Sequence, residues 1–200
     1  MSNNTHRNEI KDGYFKKFLK TKAAYNREYK MCKYLREMNV NGVVKLNSYN
    51  ENDNMIQYEY VDGISLEEKI GSCIISKTQR DVIWESITQT LFTMHLCGAI
   101  HGDFKAKNII IDEEMNCVLC DFDQSQISRN EESIKDDVKK LNIIYYQLYF
   151  TRPEDKHHWS YKNNDASYRN GEQIYMRGCE FDNDYKQYLR NDNKNKEVNS

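Results

Sequence analysis

Two short apolar segments joined by a polar turn constrain the fold of this chain more than any other feature. Residues 109–111 (Ile-Ile-Ile) and 118–120 (Val-Leu-Cys) have the length and composition of buried strands, and residues 112–116 suit a turn. A hairpin returns the chain to the end of the sheet where it began. We therefore expect Asn108, just before the first strand, to lie beside Asp121, just after the second.

The residues that flank this hairpin form a pattern of acids, lysine and amide. Residues 101–108 are His-Gly-Asp-Phe-Lys-Ala-Lys-Asn, and residues 121–123 are Asp-Phe-Asp. Asp103 can accept the proton of an attacking hydroxyl, while Asn108 and Asp121 offer hard oxygen ligands to Mg²⁺ ions that bridge nucleotide phosphates. The pattern resembles the catalytic core of the protein kinase-like superfamily, which runs H-x-D-x-K-x-x-N and then D-F-G.

The resemblance implies an α/β (α+β) chain with a minimal two-lobed protein kinase-like fold. A reduced N-terminal lobe, made of a β-sheet and one helix, would span residues 9–60. A mainly helical C-terminal lobe would span residues 61–190, and the polar residues 191–200 would form a disordered tail. ATP and Mg²⁺ are the cofactors that the resemblance implies.

The resemblance also implies roles for individual residues. Asp103 would be the base or hydroxyl-orienting group, and Lys105 would neutralise charge on the transferred γ-phosphoryl group. Asn108 and Asp121 would bind magnesium. His101, Phe104 and Phe122 would be packing residues rather than reacting groups.

One predicted helix contains a carboxylate on its apolar stripe. Helical periodicity over residues 21–38 aligns Glu28 with apolar residues, and a buried carboxylate is costly unless a cation neutralises it. The strand predicted at residues 13–19 offers Lys16, and in kinases such a lysine pairs with the helix glutamate and reaches the nucleotide phosphates. Lys17 remains an alternative partner, because the sequence does not fix the inward face of so short a strand. A solvated Glu28 is the other alternative.

A second strand pair and two long helices complete the prediction. Residues 43–49 and 55–61 favour a strand pair, and residues 58–63 resemble the kinase hinge, where main-chain groups of Glu59 and Val61 would bind adenine. Ser65 is spaced as a helix cap. Helices are expected at residues 77–96 and 136–150. Asp137 matches the acid that anchors the kinase catalytic loop, or is an ordinary carboxylate at a helix N-terminus.

Four departures from the kinase pattern change the expected function. Gly102 stands where many regulated kinases have the arginine that binds a phosphorylated activation loop, and Asp123 replaces the glycine of D-F-G. Few residues separate Asp123 from Asp137, and no A-P-E motif follows. No glycine-rich loop precedes Lys16, so the usual cover over the phosphates is missing.

Composition limits the partners and the setting. The net charge is −2 and the pI is about 6.2, so no bulk basic field favours nucleic acid or an anionic membrane. No apolar stretch is long enough for a transmembrane helix. The six cysteines lack the dense spacing of a secreted disulfide framework, and Cys117 and Cys120 are expected to be core thiols rather than a metal or redox pair. We expect an intracellular, cytoplasmic protein, in the host cytoplasm if the chain is viral.

The leading functional hypothesis is ATP- and Mg²⁺-dependent phosphoryl transfer to a Ser/Thr hydroxyl of a protein substrate. Lys105 favours it, because Ser/Thr protein kinases usually carry lysine there. Asp123 and the short activation segment favour a small-molecule kinase similar to aminoglycoside or choline kinases. The missing glycine-rich loop favours a pseudokinase that acts as a binding module, or an activating partner that supplies the missing contacts.

Overall fold

A four-stranded antiparallel sheet and one long helix form the first part of the fold. The computed structural model describes residues 8–72 and 74–150. The sheet consists of β1 (Glu9–Lys11), β2 (Tyr14–Phe18), β3 (Leu46–Asn50) and β4 (Met55–Glu59), in the spatial order β1-β2-β4-β3. Helix α1 (Lys22–Glu37) lies between β2 and β3 in the chain.

The second part is mainly helical. Its elements are β5 (Ile64–Ser65), α2 (Leu66–Ser72), α3 (Lys77–Leu96), β6 (Ala99–Ile100), a 3₁₀ turn (Ala106–Asn108), β7 (Ile109–Ile111), β8 (Cys117–Leu119), β9 (Gln126–Ile127) and α4 (Glu131–Phe150). The predicted mixed α/β fold with a reduced sheet lobe is confirmed. The predicted lobe end at residue 190 and the tail at 191–200 lie outside the described residues.

The first hairpin is a feature that the sequence prediction missed. Asp12 and Gly13 form its turn with φ of 53° and 77°. Two successive residues with positive φ are typical of the type I′ turn, whose twist matches that of the strands it joins. β1 therefore pairs directly with β2. This two-residue turn joins the two strands at the position where the kinase pattern has a glycine-rich loop.

Local capping signals place the helix ends. Thr21 caps α1 by accepting a hydrogen bond from Ala24 N, and Ser76 and Gln79 form a reciprocal capping box on α3. The predicted cap at Ser65 is confirmed, since its hydroxyl accepts from Glu68 N at 3.1 Å. Helix α4 begins five residues earlier than predicted, because Asn130 Oδ1 accepts from the first-turn amides of residues 132 and 133.

The predicted hairpin of β7 and β8 is confirmed and joins the two parts of the fold. Ile109 pairs with Leu119, and Cys120 N donates to the carbonyl of Asn108 at 3.0 Å, so Asn108 and Asp121 lie at the same end of the hairpin. Leu119 also exchanges main-chain hydrogen bonds with the segment before β3, through Gly42 O and Val44 N.

Four of the six cysteines lie within the described residues. Cys32, Cys97, Cys117 and Cys120 are free and at least half-buried, while Cys73 and Cys179 lie outside the described residues. Over the described part of the chain, no helix combines the length and apolar character that a membrane span requires.

Candidate active site

A cavity of about 460 Å³ lies between the sheet, the segment after β4 and the β7–β8 hairpin. Its size is within the range of small-molecule and cofactor sites. Ile10 and Phe15 of the first hairpin contribute apolar lining. Five lining residues bear on the predicted nucleotide site: Lys17, Glu59, Val61, Asn108 and Asp121.

The lysine that meets Glu28 is Lys17, so the prediction that Lys16 pairs with Glu28 is wrong. Lys17 Nζ lies 2.9 and 2.7 Å from the two carboxylate oxygens of Glu28, and 2.6 Å from Asp121 Oδ1. The reason is the register of β2 on β4. Lys17 lies opposite the buried Ile56 and shares its face, whereas Lys16 lies opposite Gln57 on the other face.

Burial and charge act in opposite directions on this ion pair. Burial disfavours the charged form of Lys17, but the carboxylates of Glu28 and Asp121 outweigh it and hold the pKa of the ammonium above its ordinary value. Burial raises the pKa of Glu28, which is 0 % exposed, and its donors offset this only in part. The prediction that Glu28 is buried and requires a cation is confirmed.

Tyr58 is a second donor to Glu28 that the sequence analysis missed. Its hydroxyl donates to Glu28 Oε1 at 2.6 Å, and the Cys32 thiol lies 3.8 Å from the same hydroxyl. The signal was present in the sequence, because Ile56 and Tyr58 alternate with polar residues along β4 and so share the inward face with Lys17.

The catalytic-loop residues of the motif are bonded to one another. Asn108 Nδ2 donates to the carbonyl of Asp103 at 2.9 Å and to its Oδ2 at 3.1 Å, and Lys105 Nζ lies 2.5 Å from the same Oδ2. Partial burial would raise the pKa of Asp103, but the Lys105 ammonium and the Asn108 amide outweigh it and hold the pKa below its ordinary value. Asp103 is therefore an ionised acceptor, with 31 % of its side chain exposed.

Asp137 anchors this loop from helix α4, as one reading of the sequence predicted. Its carboxylate accepts from His101 N at 2.8 Å and from Gly102 N at 3.1 Å, and His95 Nε2 lies 3.3 Å away. Lys140, one turn further along α4, donates to the carbonyl of Gly102 at 2.7 Å. The loop backbone is thus held by fixed side chains of one helix.

The predicted packing residues lie behind the loop. His101, Phe104 and Phe122 are fully buried, and the two phenyl rings contact the imidazole at centroid distances of 5.6 and 4.9 Å. His101 Nε2 lies 3.1 Å from the carbonyl of Cys120, whereas its Nδ1 is buried without a hydrogen-bond partner. Burial lowers the pKa of His101, so the ring is neutral at pH 7.

The segment after Asp121 passes close to Gly102. A β-carbon on Gly102, whose φ is 81°, would lie 2.4 Å from the carbonyl oxygen of Gln124. A side chain such as arginine cannot occupy that space while the segment takes this path. Helix α1 also contacts this segment, because Arg27 Nε donates to the carbonyl of Asp123 at 2.5 Å.

The chemistry of the donor set fits a hard divalent cation. Asn108 uses its amide nitrogen towards Asp103, which leaves its amide oxygen for a cation, and the Asp121 side chain is 36 % exposed in the same cavity. Asp121 has a φ of 68°, a costly conformation for a non-glycine residue that is typical of functional sites. The described residues contain no cluster of three or more His, Cys, Asp or Glu that could hold a metal. Phosphate oxygens and water would therefore have to complete the coordination shell, as is usual for Mg²⁺.

The predicted hinge lies along the cavity. Glu59 and Val61 both line it, and Tyr60 N, between them, donates to the carbonyl of Gly13 at 3.0 Å. The first hairpin, whose residues Ile10 and Phe15 line the cavity, is thereby fixed to the hinge segment.

A two-part α/β fold with a cleft that holds a Lys-Glu pair, an Asp-Asn loop and an Asp-Phe turn has the arrangement of a protein kinase domain. Comparison with known families agrees: the family model for the protein kinase domain matches residues 5–163. The chain therefore belongs to the protein kinase family, whose members in general use ATP and a divalent metal.

Individual relatives share part of this domain. Serine/threonine-protein kinase D from Synechocystis is 41 % identical over 83 residues, which cover 40 % of this chain and 16 % of the relative. A G-type lectin S-receptor-like serine/threonine-protein kinase from Arabidopsis thaliana is 33 % identical over 90 residues (42 % and 11 %). Serine/threonine-protein kinase PDK1 from Cryptococcus neoformans is 34 % identical over 68 residues (34 % and 6 %). The matched segment spans only a small part of each relative.

Proposed function

We propose that this chain transfers the γ-phosphate of ATP, in the presence of Mg²⁺, to a Ser or Thr hydroxyl of a protein. One observation carries the proposal. Lys17 contacts both Glu28 and Asp121 at the wall of the cavity, while Asp103 and Asn108 are bonded to each other in the adjoining loop. Positioning and charge neutralisation are most of what phosphoryl transfer requires from a protein, and these residues supply both.

Each residue has a role that its surroundings support. Asp103 would orient the acceptor hydroxyl and take its proton, and Lys105 would neutralise charge on the transferred group. Lys17 would bind nucleotide phosphates, and main-chain groups of Glu59 and Val61 would bind adenine. Bound magnesium would neutralise phosphate charge, and Asn108 and Asp121 are the residues that would hold it.

A protein acceptor is favoured by Lys105 and by the Ser/Thr kinase names of the relatives. The test is incubation of the purified chain with γ-labelled ATP and Mg²⁺ in the presence of generic protein acceptors, with aminoglycoside and choline acceptors in parallel. Label on Ser or Thr, lost in Asp103→Asn, is the expected result. Label only on a small molecule would support the small-molecule alternative, which the short segment 124–130 before α4 favours.

A binding module without transfer is the second candidate. The observation that favours it is the turn at Asp12 and Gly13, which leaves the described residues without a glycine-rich cover over the phosphates. We propose that a partner supplies that cover if the isolated chain binds ATP but does not transfer phosphate. Binding of Mg²⁺ and ATP without label on any acceptor would favour this candidate over the first.

A further inference from the structure

The carboxylate of Glu28 is fully buried and receives two different kinds of donor. Lys17 donates to both oxygens, and the Tyr58 hydroxyl donates to Oε1 at 2.6 Å. The Tyr58 side chain is only 3 % exposed and belongs to the core. A hydrogen bond to an ionised acceptor in such a dry setting is stronger than the same bond at a surface.

Lys17 has no donor to spare in this arrangement. An ammonium group has three N–H donors, and Lys17 makes two contacts with Glu28 and one with Asp121. A phosphate group that binds Lys17 must take one of these places. Glu28 then depends more on the hydrogen bond from the Tyr58 hydroxyl, because the phosphate does not compete for that hydroxyl.

We propose that Tyr58 is a positioning residue, whose hydroxyl keeps the Glu28 carboxylate directed at Lys17 while the lysine exchanges Asp121 for a phosphate. The exchange with phosphate rests on the proposed function, but the hold on Glu28 does not. Helix α1 has a separate contact, in which the side-chain Nε of Arg27 donates to the carbonyl of Asp123. Loss of the Tyr58 hydroxyl should therefore change the orientation of the Glu28 carboxylate rather than displace helix α1.

The matched variants are Tyr58→Phe and Tyr25→Phe. Each removes one hydroxyl from a buried tyrosine and keeps the ring, but Tyr25 stacks on Tyr29 of helix α1 instead of contacting Glu28. The probe is trace acetic anhydride at mildly alkaline pH, with acetylation of Lys17 measured by mass spectrometry relative to exposed Lys30. Glu28 and Asp121 occupy all three N–H donors of Lys17, whose side chain is 19 % exposed, so its acetylation is slow in the wild type and rises when a carboxylate turns away.

Tyr58→Phe should raise Lys17 acetylation severalfold, as should Glu28→Gln, whereas Tyr25→Phe should leave it unchanged. In the Glu28→Gln background, Tyr58→Phe should have no further effect, because its action passes through Glu28. A rise in Glu28→Gln without a rise in Tyr58→Phe would overturn the proposal. So would an equal effect of Tyr58→Phe in both backgrounds. If Tyr58→Phe does not fold, Tyr58→Leu replaces it, since it also lacks the hydroxyl and does not overpack the core, and the expected rise in Lys17 acetylation is the same.

A kinetic measurement separates positioning from stability. Under the proposed function, Tyr58→Phe should lower kcat/KM for ATP by about ten- to hundredfold, and Tyr25→Phe should not. Equal kcat/KM for Tyr58→Phe and wild type in an active enzyme would contradict positioning. If the wild type transfers no phosphate, the proposed function fails, but the acetylation result still decides whether Tyr58 holds Glu28.

Discussion

Lys17 Nζ donates to Asp121 Oδ1 at 2.6 Å, although 104 positions separate the two residues in the chain. If Asp121 is to hold Mg²⁺, it must release this ammonium, which then becomes available to a phosphate. We therefore expect millimolar ATP with Mg²⁺ to raise Tm by more than ATP with EDTA, because a ligand that binds only the native state stabilises it. An equal rise with Mg²⁺ and EDTA would contradict the metal role of Asn108 and Asp121.

The two neighbouring lysines of β2 provide a matched pair for the phosphate-binding role. Lys17→Met should lower the unfolding free energy by about 3–5 kcal/mol, since it leaves buried Glu28 without its cation, and should abolish the ATP-dependent rise in Tm. Lys16→Met, on the opposite face of the strand, should change the unfolding free energy by less than about 0.5 kcal/mol. Denaturant titration and thermal shift measure both quantities. If Lys16→Met lost more unfolding free energy and more of the ATP-dependent rise in Tm than Lys17→Met, the phosphate-binding role would belong to Lys16.

Asp103→Asn tests the proposed base. The amide has the size of the carboxylate but cannot take a proton, so the rate of transfer should fall by about 10²–10⁴-fold. The ATP-dependent rise in Tm should persist, because Asp103 does not line the nucleotide cavity. Turnover of the variant at the wild-type rate would rule out Asp103 as the base.

Local signals made much of this fold predictable. The ends of α3 follow from Ser76 and Gln79 at one end and Gly98, with a φ of 80°, at the other, and each acts within one turn of the helix. The hairpin that aligns Asn108 with Asp121 is local as well. Short-range chemistry therefore sufficed for the helices and for the order of the motif.

The features that the sequence did not predict depend on contacts between distant segments. The choice between Lys16 and Lys17 follows from the register of β2 on β4, and a shift of one residue would reverse it. The Tyr58–Glu28 bond joins a strand to a helix 30 positions away. The close approach of Gln124 to Gly102 likewise depends on the path of a segment that no pattern within residues 101–108 specifies.

That approach predicts the effect of a single methyl group. Gly102→Ala places a β-carbon 2.4 Å from the carbonyl oxygen of Gln124 and requires φ of 81° from an alanine, so we expect a loss of about 2–4 kcal/mol in unfolding free energy. Gly71→Ala in helix α2 meets no atom within 4 Å and should be neutral or stabilising by up to about 1 kcal/mol. Urea unfolding of both variants decides; equal stabilities would contradict the close packing of residue 124.

His101 should make the stability of this protein sensitive to mild acid. Burial lowers its pKa below the ordinary 6.5, so the unfolded chain takes up a proton near pH 6.5 and the native chain does not. The contribution of His101 to the unfolding free energy is therefore fully present above that pH and declines as pH falls towards the pKa of His101 in the folded protein. Burial would raise the pKa of Asp137, but His95 and the loop amides outweigh it and lower that pKa. Asp137 therefore loses its contribution to the unfolding free energy only below its ordinary pKa of 3.8.

The variant His101→Gln isolates this contribution, because it keeps a side-chain donor near the carbonyl of Cys120 and does not titrate. A direct comparison with wild type is needed, since burial raises the pKa of Glu28 and acts with the opposite sign in acid. From about pH 7.5 to 5.5, wild type should lose as much as about 1.4 kcal/mol more unfolding free energy than the variant. Parallel pH profiles from urea unfolding would show that His101 takes up its proton equally in both states, which its complete burial beside Phe104 and Phe122 argues against.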